Sequence, residues 1–377
     1  MEENKKKEYE ARAQRCKIKA DDILIDDFAS TLIRDYNLPA SLKGISDAIT
    51  KWAFEFSDIP FIEYWEKFLH DEIKERWFAF PLLNVQMTDL KIWQISKDIK
   101  VKNIHYKEVC SGILEKTNFL GHEYAAFIVT RSFGEFLYAR QQAFELSESV
   151  VDFIKFFDRC GDYKGKLKKN IGIDQQLINR KIMMVLHGES DHKLTNIQLS
   201  TDERTLELNS KYVKQIKDAG FDDLCSLLQY KPETQNELEK HVIRAIKNYS
   251  CALTVKSDSE CIVKLCSILD SIVLEENTRS PITEAALRYV PILCSTDKEE
   301  RLRIRKELSF MYKARGEYMH HCVEQKEKIN VVYLLSVVKL FITKFYEQRH
   351  NFETKKELFN AIDDALIGVT FGSEHVN

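Results

Sequence analysis

Leu308-Ser-Phe-Met-Tyr312-Lys-Ala-Arg315-Gly316-Glu-Tyr318-Met-His320-His321 decides how the C-terminal third of this chain is read. It follows Thr296-Asp-Lys-Glu299, a capping-box pattern in which a threonine hydroxyl and a glutamate carboxylate satisfy each other's backbone N–H. That pattern predicts a helix opening near Thr296 and running into Tyr312 and Arg315. Arg315 and His320 are five positions apart. On an ideal helix they would point about 140° apart. They share one face only if Arg315 reaches around or the helix distorts near Gly316.

The neighbouring sequence extends the helical reading. From about residue 211 the chain reads as wholly helical. Val242, Ile246, Tyr249 and Leu253 form one amphipathic stripe. Ser257-Asp-Ser-Glu260 is a second capping box, opening a helix that carries Ile262, Leu265, Leu269 and Ile272. Ser280-Pro281 places an N-cap before a first-turn proline. Asn330 to Tyr346 reads as a strongly apolar final helix.

The N-terminal part has a different texture. Residues 1–22 are charged and read as a polar tail or frayed helix. Residues 23–74 read as short helices broken at Asn37-Leu-Pro39, with Trp52, Phe61, Trp65 and Phe68 as core aromatics. Residues 76–131 read as strands. Trp93, Ile95, Ile99 and Val101 alternate, with Lys97 interrupting the apolar face, and Tyr124–Val129 is a buried run. A helical stripe follows at Leu146, Val150, Phe153, Ile154 and Phe157. Residues 159–180 form a lysine-rich loop, and Lys181–Gly188 and Thr195–Leu208 read as two more strands. His187, Asp191 and His192 flank ordinary turn residues, which favours a turn over a metal site.

The fold class is therefore α+β: a mixed α/β region followed by an all-α helical bundle. The expected divisions are a tail at 1–22, an α/β regulatory or sensing domain at 23–210, a helical connector at 211–239 and the bundle at 240–370. With 44% hydrophobic and 31% charged residues, the composition is that of a globular protein. A formal net charge of -3 gives no global attraction to nucleic acid, so any such surface must be local. The nine cysteines include no C-x-x-C pair, which argues against a zinc ribbon and for reduced thiols in a cytoplasmic protein. No apolar run reaches the ~20 residues that span a bilayer, so no membrane partner is expected.

Tyr312, Arg315, Gly316 and His320 fall on the pattern Leu/Ile-Tyr-x-x-Arg-Ser/Gly-x-x-x-His. This resembles the Apea-like branch of the HEPN ribonucleases. The similarity covers roughly Lys240 to Glu347, four helices in order. Ile243–Tyr249 resembles the first, Ile268–Val273 the second, Thr283–Val290 the third, and the Arg315 helix the fourth. Asp270 stands where the family usually has glutamate, and Gly316 where the residue is often polar. The resemblance implies a HEPN-like bundle with Arg315, His320 and Asp270 as the catalytic set. Tyr312, Lys313, Tyr318, His321 and Arg305 would be substrate-binding residues. It also implies a homodimer, an RNA substrate such as tRNA, no cofactor and no metal. The setting it implies is antiviral defence or a toxin system, with a phage-derived or protein trigger acting on the N-terminal region.

These residue types suit metal-independent RNA cleavage. The 2′-OH loses its proton and attacks phosphorus, the P–O5′ bond breaks, and O5′ takes up a proton. The products are a 2′,3′-cyclic phosphate and a 5′-hydroxyl. Histidine, with an unperturbed pKa of about 6.5, suits the proton transfers. The guanidinium fork of arginine suits the phosphate. Asp270 would orient Arg315 or His320; Tyr312 and Tyr318 could stack bases, although tyrosines at helical spacing more often serve a core or an interface. Arg301, Arg303, Arg305, Lys306 and Lys313 add a local basic patch, partly offset by Glu299, Glu300, Glu307 and Glu317. The alternative is a non-catalytic RNA-binding, dimerisation or adaptor protein that uses the same bundle.

Overall fold

The computed structural model describes residues 3–19, 21–105, 124–158, 171–173, 206–230, 232–255, 257–274, 282–321 and 329–366. Their architecture is α+β, with a small antiparallel sheet in the N-terminal half and helices through the C-terminal region. Contacts divide the chain into two compact units. One is Met1–Leu82 with Lys91–Glu148; the other is Leu83–Leu90 with Ser149–Asn377. The boundary expected at residue 210 falls inside the second unit.

The first unit opens with four helices: α1 (Glu3–Lys19), α2 (Asp22–Tyr36), α3 (Leu42–Glu55) and α4 (Phe61–Glu72). The expected polar tail is thus a helix that packs. Tyr9, Ala13 and Cys16 recur at helical spacing and are buried with Phe28, Trp52, Phe61 and Trp65. Asp21 caps α2, Ser41 caps α3, and the α2 C-terminus stops at Asn37 in the left-handed region.

The sheet follows: β1 (Lys74–Pro81), then β2 (Val85–Met87) in the second unit, then β3 (Ile92–Ser96), β4 (Ile99–His105) and β5 (Tyr124–Gly134). The four-stranded sheet has order β1-β5-β4-β3, all antiparallel. Its alternating residues match the expected strands, with one correction. Lys97 does not interrupt a single strand; Lys97 and Asp98 form the turn of the β3–β4 hairpin. One sheet face is lined by buried Trp93, Ile99, Val101 and Ile128. It packs on α5 (Phe136–Phe157), where Phe80 meets Phe144 edge-on and the Thr130 and Ser147 hydroxyls bond at 2.8 Å. Gly134 joins sheet to helices: its φ is 142°, and a Cβ there would lie 2.5 Å from the Pro39 carbonyl oxygen.

In the second unit β2 pairs in parallel with β6 (Leu206–Leu208). The helices α6 (Ser210–Asp218), α7 (Phe221–Ser226), α8 (Glu237–Thr254), α9 (Asp258–Val273), α10 (Ile282–Cys294), α11 (Lys298–His321), α12 (Val331–Glu347) and α13 (Lys355–Leu366) follow. Val242, Ile246 and Tyr249 are buried as the stripe required, and the Tyr249 hydroxyl donates to the Leu335 carbonyl at 3.2 Å. Ser257 caps α9. A reciprocal capping box forms at Asn236 and Glu239, opening α8. The α11 cap lies one residue later than expected: Asp297 Oδ1, not the Thr296 hydroxyl, accepts from the Glu300 N–H at 2.8 Å. α12 begins at the Asn330 cap as expected but is not the last helix, since α13 follows. Ser280-Pro281, the expected strand Lys181–Gly188, the expected strand Thr195–Leu208 up to residue 205, His187, Asp191 and His192, and most of the 159–180 loop lie outside the described residues. No described helix is long and apolar enough to cross a membrane.

Candidate active site

Two adjacent helices make the centre of the site. α9 is apolar nearly all round, with Leu265, Cys266, Ile268, Leu269 and Ile272 buried, and it takes Asp270 into the bundle with them. A carboxylate there needs partners, because an unpaired buried charge is costly. α11 supplies two, one turn apart. The Tyr312 hydroxyl donates to Asp270 Oδ1 at 2.6 Å, and an Arg315 terminal nitrogen donates to Oδ2 at 2.9 Å. Each carboxylate oxygen is therefore engaged, and the i, i+3 spacing of Tyr312 and Arg315 puts both groups on the side facing α9.

The electrostatics follow from this enclosure. Burial pushes the Asp270 carboxyl above its ordinary range, against the hydrogen bond from Tyr312 and the charge and hydrogen bond of Arg315. Burial and the neighbouring carboxylate raise the Tyr312 hydroxyl far above an ordinary phenol. Burial likewise raises the Cys266 thiol, one turn from Asp270. Among the described residues Asp270 is the only ionic partner of Arg315, whose side chain remains 30% exposed. The guanidinium is thus fixed at one end and open to solvent at the other.

His320 stands apart from this centre. α11 is an unbroken α-helix through Gly316 to His321, so the distortion that would bring Arg315 and His320 to one face does not occur. Five residues on, His320 leaves the axis about 140° from Arg315 and ~7.5 Å along it. It is exposed, as is His321. Their rings are 6.4 Å apart. His320 shares its outward azimuth with exposed Leu302, Lys306 and Lys313. Within one chain the structure brings together Asp270, Tyr312 and Arg315, and does not add His320.

The other expected site residues divide similarly. Tyr312 cannot offer a ring for base stacking: it is buried at 7% exposure and its hydroxyl is committed to Asp270. Its bond to Asp270 was not foreseen, although the spacing of Tyr312 and Arg315 was the signal for it. Tyr318 is half-buried, and Lys313 is exposed with Glu317 3.9 Å away. Arg305 is exposed on α11. Of the remaining basic residues, Arg301 donates to the Ser295 carbonyl at 2.6 Å, and Arg303 lies 4.4 Å from the Tyr333 ring centre. Arg305, Lys306 and Lys313 also face outward, with Lys306 5.9 Å from the Phe310 ring centre and Lys313 paired with Glu317. Among the described residues no cluster of three or more His, Cys, Asp or Glu side chains could hold a metal ion.

Comparison with protein-family models, with curated proteins and with solved structures found no match.

Proposed function

We propose that this protein is a metal-independent endoribonuclease whose site contains Arg315 and His320, with Asp270 as the positioning acid. The observation that carries the reading is the fixed end of Arg315. The Asp270–Arg315 bond holds a guanidinium at the surface of the bundle with its orientation set before a phosphate arrives. His320 is exposed, as a proton-transfer group for RNA needs to be. Because the two residues diverge on one straight helix, the complete site needs a second copy of the chain, so that the Arg315 of one copy acts with the His320 of the other. His320 then exchanges protons with the 2′-OH or O5′, Arg315 neutralises the phosphorane oxygens, and the products are a 2′,3′-cyclic phosphate and a 5′-hydroxyl. The resemblance to Apea-like HEPN proteins adds the setting: a homodimer in prokaryotic antiviral defence or a toxin system, controlled by the N-terminal region and acting on RNA such as tRNA.

A second reading has an observation of its own. The Asp270, Tyr312 and Arg315 bonds join α9 to α11 and would serve a helical RNA-binding or dimerisation module equally well. The two readings separate in one assay. Wild type, Arg315→Ala and His320→Ala, each shown folded by circular dichroism, are incubated with total tRNA and a single-stranded RNA in excess EDTA. The nuclease reading expects cyclic-phosphate ends from wild type and a loss of roughly a hundredfold or more in each variant. RNA binding without cleavage, unchanged in His320→Ala, would favour the module.

A further inference from the structure

The four-stranded sheet of the first unit packs one face on α5; on the other, the open face, Trp77, Phe133 and Ile92 are exposed while Phe127 and Val129 on the central strand are buried. The register places Glu75 beside Phe133, Trp77 beside Arg131, and Lys102 between Phe127 and Ile92 on that open face. Trp77 is 49% and Phe133 53% exposed. As diagonal neighbours on adjacent strands they lie within reach of one another. The Lys100 ammonium sits 4.4 Å and the Arg131 guanidinium carbon 5.9 Å from the centre of the Trp77 ring. Glu75 and Asp98 each pair with Arg131, whereas Lys100 and Lys102, both half-buried, have no ion-pair partner among the described residues.

The sheet is also a basic island. Residues 74–81, 91–105 and 124–134 hold seven Lys and Arg against two Asp and Glu, in a chain whose net charge is -3. Alternation explains the residues that face α5, but it does not explain the exposed tryptophan and phenylalanine on the other side, which solubility alone does not require. Exposed rings flanked by cations are the features that single-stranded nucleic acid uses. Bases stack on the rings, and phosphates meet the lysines.

We infer that the open face of the β1-β5-β4-β3 sheet binds single-stranded nucleic acid, with Trp77 and Phe133 as base platforms and Lys100 and Lys102 as phosphate contacts. On binding, the Lys100 ammonium moves from the indole face to a phosphate, and a base takes its place on the ring. Charge complementarity favours a polyanion, and the paired rings favour one with unpaired bases over an acidic peptide. This inference does not rest on RNA cleavage by the second unit.

The test uses the full chain and a fluorescent 2′-O-methyl oligonucleotide, which has no free 2′-OH to attack and so reports binding whether or not the protein is a nuclease. Wild type is expected to bind the unpaired oligonucleotide more tightly than the same sequence as a duplex. Trp77→Ala should weaken binding by about five- to a hundredfold, and Trp77→Phe should restore most of it. Lys100→Ala combined with Lys102→Ala should flatten the dependence of log affinity on log salt by about 1.4. The inference fails if wild type does not bind, if Trp77→Ala and the double lysine variant both bind like wild type, if the duplex binds as tightly, or if a polyglutamate peptide competes as well as the unlabelled oligonucleotide.

Discussion

The Asp270 node of the second unit and the open sheet face of the first handle charge in opposite ways. At the node a carboxylate, a phenol and a guanidinium are enclosed and satisfy one another, so the geometry exists without a ligand. On the sheet Lys100 rests on the exposed Trp77 ring and has no carboxylate partner among the described residues. The first arrangement contributes to the folded state and orients one group; the second contributes little to folding and leaves its groups for a partner. Substitutions should therefore act on stability in one region and on affinity in the other.

The largest stability effect is expected at Asp270. Asp270→Ala leaves Tyr312 and Arg315 without their acceptor, and breaking such a pair typically costs about 3–5 kcal/mol. The partial exposure of Arg315 places this change near the lower end. Urea unfolding measures it, and a loss under about 1 kcal/mol would mean the node does not hold the helices. Tyr312→Phe removes a single hydrogen bond to a charged group and should cost about 1.5–3 kcal/mol in the same experiment.

A smaller effect should appear with pH. Burial holds the native Asp270 carboxyl above its ordinary value, so the folded protein keeps this proton to higher pH than the unfolded chain. Stability falls with rising pH wherever the native state binds more protons. The contribution of Asp270 is thus full below its unfolded pKa and declines as pH rises through the raised native value. Wild type should lose stability relative to Asp270→Asn over that window; a difference that instead grew with pH would reverse the assignment. The smallest changes belong to the exposed residues. Trp77→Ala and His320→Ala should each alter stability by no more than about 0.5 kcal/mol, and a larger loss from either would show that its side chain supports the fold.

The regions also differ in how far their sequence could be read. Strands and helical stripes were legible because burial repeats with the backbone period, as at Trp93, Ile99 and Val101 or Val242, Ile246 and Tyr249. α1 was hidden because its stripe of Tyr9, Ala13 and Cys16 is narrow and surrounded by lysine and glutamate. Lys97 was read as a blemish in a strand because a two-residue turn preserves the alternation on either side of it. The α11 cap was off by one because Thr296 and Asp297 are both good caps, and only the backbone decides between them. At the site, Asp270 and Arg315 were singled out by resemblance and meet at 2.9 Å. The enclosure of Tyr312 agrees with the commoner meaning of a tyrosine at helical spacing, a core position, over base stacking. Trp77 passed unnoticed because one exposed ring in a strand has meaning only beside the cations that the neighbouring strands bring to it.

The proposal turns on Arg315 and His320 acting together although they diverge on one helix, and mixing tests it most directly. Arg315→Ala and His320→Ala proteins are assayed for RNA cleavage separately and after being unfolded and refolded together. Two inactive variants that regain part of the wild-type rate only when mixed would agree with a site shared between two copies. A mixture as inactive as its parts, from a wild type that cleaves and mixed assemblies shown to form, would contradict it.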